Sequence, residues 1–252
     1  MKIDVKGKVC VITGSTKGIG KAIAEALAEN GGTVVICSRK QNECDAVAAE
    51  IREKYGADAI GVSADITKSE AIENLFNTVM EKYGRVDVLV NNAGSAITKR
   101  AEDLTEEDFD HVLALDLRAV FFCSQAAGKI MIQQKSGKII SIASVLGVVA
   151  DKQVLPYCVA KGGVLQMTRA LALEWAKHNI QVNAICPGYV ITELNRKELT
   201  DEKIGGGLLR KTAMRRFGEV EEIAGAAVYL ASDASSYTTG EPIIVDGGWC
   251  AE

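Results

Sequence analysis

Tyr157 and Lys161 stand four residues apart in the run Tyr157-Cys158-Val159-Ala160-Lys161. On a helix that spacing puts both on one face. An ordinary phenol, with a pKa of about 10, holds its proton too tightly to serve as a base near neutrality. A nearby ammonium favours the phenolate, and so does the positive ring of an oxidised nicotinamide. The pair is therefore suited to give a proton to a carbonyl oxygen or to take one from an alcohol. The same spacing occurs on any amphipathic helix surface, so the residues before it decide. Gly137–Ser144 reads GKIISIAS and ends in a hydroxyl at the carboxyl end of an expected strand. That rim is where open α/β sheets hold ligands. Ser144 is the expected hydrogen-bond partner of the substrate oxygen; Ser141, the competing hydroxyl, lies within the strand.

A second group could bind the hydride carrier. Thr13–Gly20 reads TGSTKGIG, after an apolar strand-like run and before a helical one. This is the setting of a dinucleotide loop. Gly14 permits a sharp turn, Gly18 lets the backbone approach a pyrophosphate, and Gly20 lets helix and strand pack closely. Ser15 and Ile19 are counted with this cradle. The anion would sit at unpaired N–H groups and the positive end of the helix dipole. In such sites an acidic residue ending the second strand holds the ribose hydroxyls and repels a 2′-phosphate. Here that strand ends Cys37-Ser38-Arg39-Lys40, and Lys17 lies in the loop itself. A hydroxyl and cations there favour NADP(H), with Arg39 clamping the phosphate and Lys17 adding a point charge.

These groups need a frame, and the hydrophobic pattern supplies one. Strands are expected over Lys8–Thr13, Thr33–Cys37, Ala59–Ser63, Val86–Val90, Lys138–Ile142, Ile180–Ile185 and Pro242–Val245. Helices are expected over Lys21–Asn30, Gln41–Tyr55, Ser69–Tyr83, Thr105–Gln134, Tyr157–Lys177 and Glu221–Ser232. This alternation predicts an α/β, Rossmann-type doubly wound parallel sheet with helices on both faces. No Pro/Ser-rich linker divides the 252 residues, so 1–252 reads as a single domain. Residues 192–218 look irregular and include the triple glycine Gly205–Gly207; a segment of that kind beside a site suits a substrate-binding lid.

Composition excludes several classes. Net charge is −4, without the basic face a nucleic-acid binder needs. The start, MKIDVKGKVC, has no apolar core of a signal peptide, and no uncharged run reaches membrane-spanning length. A soluble, cytoplasmic protein is expected. Seven cysteines with no C-x-x-C spacing read as buried reduced thiols, and His111 and His178 lie too far apart in the chain to suggest a metal site.

Taken together, the chain resembles the short-chain dehydrogenase/reductase family over nearly its whole length. The motifs carrying the resemblance are Thr13–Gly20, Asp65, Asn91–Gly94 (NNAG), Ser144, Tyr157 with Lys161, and Pro187-Gly188 followed by Thr192. The resemblance implies that Asp65 contacts adenine and that Asn91, Ala93 and Gly94 steady the sheet and line the cofactor cleft. Lys161 would bind the nicotinamide ribose and favour the Tyr157 phenolate. Pro187, Gly188 and Thr192 would hold the carboxamide. Lys17 with Ser38 and Arg39 is similar to the pattern of NADP-preferring carbonyl reductases. One position departs from the family. Asp116, in Leu115-Asp116-Leu117-Arg118, stands where an asparagine is usual, whose backbone carbonyl is thought to hold a water linking the lysine to solvent. Its carboxylate would alter the charge near Lys161, or would pair with Arg118.

The expected activity is NADP(H)-dependent interconversion of a ketone and a secondary alcohol. Two other readings are a non-catalytic NADP-binding sensor and an epimerase or dehydratase. The sensor has no need to keep Ser144, Tyr157 and Lys161 together; the epimerase reading lacks the length for a second domain. Val145, Leu146, Val148, Val149, Val154 and Leu155 predict an apolar first wall for the substrate. Arg210, Lys211, Arg215 and Arg216 either meet an anionic substrate or form a solvated basic face. Phe121, Phe122, Val164, Leu165, Leu171, Leu173 and Trp175, with Gly240–Gly248, predict surplus apolar surface and a homotetramer.

Overall fold

The central strands are short runs of β-branched and aliphatic residues, buried on both faces, as a helix-covered parallel sheet requires. The computed structural model describes residues 3–193, 195–202 and 205–251. Seven strands, β1 (Val9–Thr13), β2 (Thr33–Ser38), β3 (Ala59–Ser63), β4 (Val88–Asn91), β5 (Gly137–Ile142), β6 (Ile180–Pro187) and β7 (Pro242–Val245), form one sheet. Their order is β3-β2-β1-β4-β5-β6-β7, and every pairing is parallel. The chain winds outward in two directions from β1, so the β1/β4 boundary is the crevice where such sheets receive a ligand. This is the expected Rossmann-type fold.

The crossover helices are α1 (Gly18–Glu29), α2 (Gln41–Tyr55), α3 (Ser69–Tyr83), α4 (Glu106–Leu113), α5 (Ala119–Gln134), α6 (Leu155–Trp175) and α9 (Val220–Ala231). Short helices α7 (Arg196–Thr200) and α8 (Gly205–Lys211) lie between β6 and α9. The period-two alternation of β1 divides the core. Cys10 and Ile12 pack with Ile23 and Leu27 of α1 and Ile223 of α9. Val9 and Val11 face the other way, toward Leu75 and Val79 of α3 and Cys123 and Met131 of α5.

Four expectations are corrected. Thr105–Gln134 is not one α-helix: α4 and α5 are joined by a π-helical turn, Ala114–Arg118, and Thr105 caps α4 by accepting the Asp108 N–H at 3.1 Å. The 192–218 stretch is not wholly irregular, since its triple glycine opens α8; residues 194, 203 and 204 of that stretch lie outside the described residues. Val164 and Leu165 are not surplus surface but a third small core with Val120, Ala184 and Cys186, and Leu171 joins the second. Of that set only Leu173 is widely exposed, at 85%. Finally, five thiols are buried, whereas Cys158 and Cys250 are half-exposed. Among the described residues no helix is long and apolar enough to cross a membrane.

Candidate active site

The glycine loop follows β1 directly, and its two tightest glycines have separate physical reasons. Gly14 has φ +64°, and a Cβ there would lie 2.8 Å from the Ala93 Cα. A Cβ on Gly20 would collide with the Asn92 amide and the Gly14 carbonyl. Asn92 is therefore the latch of the loop: its Nδ2 donates to the carbonyls of Thr13 and Gly14 at 3.0 and 2.9 Å. The Thr13 hydroxyl accepts the N–H groups of Asn92 and Ala93 at 3.0 and 3.2 Å. Reading the motif for cofactor contacts passed over both residues; the polar pair NN beside a strand end was the available signal. Asn91 donates instead to Ser124 at 2.9 Å, tying β4 to α5.

Helix α1 begins without a side-chain cap, because its N-cap is Lys17, so first-turn N–H groups are left for an anion. Arg39 is exposed and makes no ion pair among the described residues. Asp65 takes both the N–H and the hydroxyl of Thr67 on one oxygen, at 3.1 and 2.7 Å, which holds its carboxyl below the usual range. Its other oxygen has no partner among the described residues. Thr192 comes from beyond β6 to stand 3.4 Å from where a Gly18 Cβ would be. Gly188 donates its N–H to the Val245 carbonyl at 2.9 Å and lies against Asp246, fixing the turn after Pro187. These surroundings fit a dinucleotide: open donors at a helix start, backbone room at the glycines, and cations beyond β2.

The Ser15 side chain is committed within the sheet. Its hydroxyl donates to Ile12 at 2.7 Å and accepts the Cys37 N–H at 2.9 Å, and its own N–H goes to the Cys37 carbonyl. Fully buried, it stitches β1 to β2. Ile19 likewise turns its side chain to the core and offers only backbone. Thr16, not singled out from the motif, has a hydroxyl with no hydrogen bond among the described residues.

The reacting groups converge at the ends of β5 and α6. Ser144 is nearly buried, and its Oγ accepts the Leu146 N–H at 3.1 Å. The turn that follows rests on α6: a Cβ on Gly147 would sit 2.8 Å from the Lys161 backbone, so serine and lysine are held to one another by close packing. Lys161 Nζ lies 5.3 Å from the centre of the Tyr157 ring and donates to the Ile142 carbonyl at 3.0 Å. Ser141, the rival hydroxyl, is buried toward Asn91.

Asp116 sits inside the π-helical turn with no exposed surface. Its Oδ2 accepts the Ser95 N–H at 2.9 Å, and its Oδ1 lies 3.1 Å from Lys161 Nζ. That contact is ionic; Oδ1 receives no well-aligned hydrogen bond. Burial pushes the Asp116 carboxyl up, against the pull of Lys161. Burial pushes the Lys161 ammonium down, but Tyr157 and Asp116 outweigh it and hold it above its usual value. Arg118, the other candidate partner, donates to Thr67 and lies over Phe122 instead.

The rest of the expected substrate wall is mixed. Of its apolar residues, Val145 and Leu146 are buried, while Val148, Val149 and Leu155 are exposed. Arg216 is committed to Glu222, at 2.7 Å through both nitrogens, and so leaves the basic cluster.

A seven-stranded parallel sheet with a glycine loop after β1 and a Ser/Tyr/Lys set beyond β5 defines a Rossmann-type oxidoreductase, and comparison with known proteins agrees. A family model described as enoyl-(acyl carrier protein) reductase matches residues 14–250. The chain belongs to the short-chain dehydrogenase/reductase family. It is 40% identical over 246 residues to an NAD-dependent glycerol dehydrogenase of Listeria innocua, covering 98% of this chain and 95% of that protein. A gluconate 5-dehydrogenase from Burkholderia cenocepacia, solved with NADP and tartrate, is 34% identical with a TM-score of 0.96 over 99% of this chain and 98% of that one. A short-chain type dehydrogenase/reductase from Mycobacterium marinum is 36% identical with a TM-score of 0.94 over the same shares. The chain is accordingly an oxidoreductase of alcohol and ketone substrates.

Proposed function

We propose that the protein interconverts a ketone and a secondary alcohol with NADP(H), and that Tyr157 carries the proton. The observation that supports this best is the buried Lys161 ammonium beside the Tyr157 ring, on the helix packed against the Ser144 turn. A bound nicotinamide supplies a hydride to the carbonyl carbon, or receives one from the carbinol. Ser144 holds the substrate oxygen and opposes its drift as charge develops. Tyr157 donates its phenolic proton to that oxygen in reduction and takes it back in oxidation. Lys161 keeps positive charge near the phenol in both directions, and Asp116 sets how much of that charge is felt.

NADP(H) is preferred in this reading because Arg39 and Lys17 present cations, with the Ser38 hydroxyl, where an NAD site presents a carboxylate. The pieces of 192–218, led by Thr192 beside the glycine loop, form the lid over the reacting carbon. Leu173 and Tyr237, both widely exposed apolar side chains, suit burial in a homotetramer. The deciding experiment is Tyr157→Phe. Ketone-dependent NADPH consumption is expected to fall by about 100-fold or more while melting temperature and NADPH binding hold. Turnover at the parent rate refutes the mechanism.

A further inference from the structure

Four side chains from separate parts of the chain join near Tyr157. Tyr189 follows Pro187-Gly188 at the end of β6, the strand next to the one leading to Ser144. Its hydroxyl donates to Asp151 Oδ2 at 3.3 Å, and Asp151 belongs to the connection from Ser144 to Tyr157. The other oxygen of Asp151 accepts the Lys152 N–H at 2.7 Å. Trp249 meets the Tyr189 ring edge to face, with centroids 5.7 Å apart at 67°. Lys211 of α8 lies 5.6 Å over the Trp249 ring. Asp246 fixes the tryptophan by accepting the N–H groups of Gly248 and Cys250, each at 2.7 Å.

The group has unspent polar capacity. Trp249 Nε1 is enclosed and makes no hydrogen bond among the described residues. Lys211 forms no ion pair among them. Burial, with Asp151, Cys158 and Tyr157 nearby, pushes the Tyr189 phenol up, so it remains a donor. Two aromatic rings, a carboxylate, a phenol, an indole N–H and an ammonium suit an occupant with C–H edges, several hydroxyls and one negative end. An acyl chain would leave the enclosed Trp249 N–H unpaired, at about 1–3 kcal/mol, and would offer nothing to the exposed Lys211 ammonium.

We infer that the substrate is a polyhydroxylated carbon chain ending in a carboxylate, with its hydroxyls read by Asp151, Tyr189 and Trp249 and its carboxylate by Lys211. This rests on the hydride-transfer reading above. It assigns specificity to a C-terminal tryptophan and a loop aspartate that act on the substrate away from its reacting carbon.

The test is a kcat/KM comparison with NADPH across a panel of six-carbon keto-sugar acids including 5-keto-D-gluconate, the uncharged ketose D-fructose, an acetoacetyl thioester, and diacetyl. A keto-sugar acid is expected to exceed diacetyl and the thioester by about tenfold or more. Asp151→Asn is expected to cut the ratio of keto-sugar acid to diacetyl by about tenfold, and Lys211→Met the ratio of keto-sugar acid to fructose by a similar factor. Melting curves check that both variants fold. The inference is overturned if the thioester or diacetyl is the best substrate, or if the variants lower every substrate in proportion. Should no carbonyl compound, diacetyl included, oxidise NADPH, the hydride-transfer reading itself fails.

Discussion

Asp116→Asn removes one enclosed negative charge and almost no volume. The amide still accepts the Ser95 N–H through its oxygen but no longer attracts Lys161, 3.1 Å away. Two unit charges at that separation attract by about 5 kcal/mol at an effective dielectric of about 20, and by about 1.3 kcal/mol in bulk water. The pair is enclosed, but burial raises the Asp116 carboxyl against that attraction and the lysine keeps its bond to the Ile142 carbonyl, so much of the Coulomb gain is offset and the net effect is taken as about the lower figure. At about 1.4 kcal/mol per pK unit the expected displacement is about one unit. Its sign follows from the charge removed. A carboxylate helps the Tyr157–Lys161 set retain protons; without it the set releases one at lower pH. Ketone reduction needs that proton, so the alkaline limb of its kcat/KM profile moves down by about one pH unit. Alcohol oxidation needs the proton gone, and its acidic limb moves the same way. Both limbs belong to the coupled set, not to one side chain. Initial rates from about pH 5 to about pH 10, with melting curves on the same samples, measure this. A well-folded variant whose profile overlays the parent's, or moves upward, refutes the electrostatic role given to Asp116; so does a well-folded but inactive one.

Further outcomes are expected elsewhere. Arg39→Ala should reduce the NADP-over-NAD preference by about 10- to 100-fold, the worth of a charge-assisted bidentate contact; an unchanged ratio of kcat/KM for the two cofactors contradicts the NADP assignment. Gly20→Ala should destabilise the fold by about 1–3 kcal/mol by pressing on the Asn92 amide and the Gly14 carbonyl, and weaken NADPH binding, as read by melting and fluorescence titration. Lys138 is nearly buried, donates to Ser235 at 3.1 Å, and is pushed down to about 8 by burial and by Lys8. Between about pH 8 and its unfolded value the unfolded chain binds the extra proton, so stability rises with pH there, and below about pH 8 the buried charge costs roughly 3 kcal/mol. Less about 1 kcal/mol for the lost Ser235 bond, Lys138→Met should stabilise by about 2 kcal/mol at pH 7 and destabilise by up to about 1 kcal/mol at about pH 10.5, where little more than the lost bond remains; a lower melting temperature at pH 7 contradicts this. Light scattering at micromolar concentration should find a tetramer, and a monomer rules out the assembly reading.

The strand and helix alternation was legible because burial on both faces leaves an unmistakable apolar run such as Val9–Thr13, and the glycine loop and the Tyr157/Lys161 spacing carry their chemistry locally. Orientation was not legible. Nothing local distinguishes Ser15, turned inward to join two strands, from a hydroxyl facing a ligand. Asn92 matters through contacts made across the sheet with residues about eighty positions earlier. The apolar pattern runs unbroken from α4 into α5, so periodicity hides the π-helical turn that carries Asp116 to Lys161. Val164 and Leu165 were misplaced because a two-faced picture of the core has no room for the third cluster between α6 and the ends of β5 and β6. Gly205–Gly207 suggested a loop, yet the helix they open is the one that brings Lys211 over Trp249.

The turn at Ala114–Arg118 carries one residue more than the α-helix it interrupts. Deleting a single residue there would let α4 and α5 fuse into an uninterrupted rod, with both flanks kept in phase and the residues of the turn drawn into the regular helix. The carboxylate would swing off the lysine while every strand stayed where it is. Charge at the reacting centre is thus governed by chain length at one spot, and an indel of one codon could retune it without touching any residue that meets the substrate.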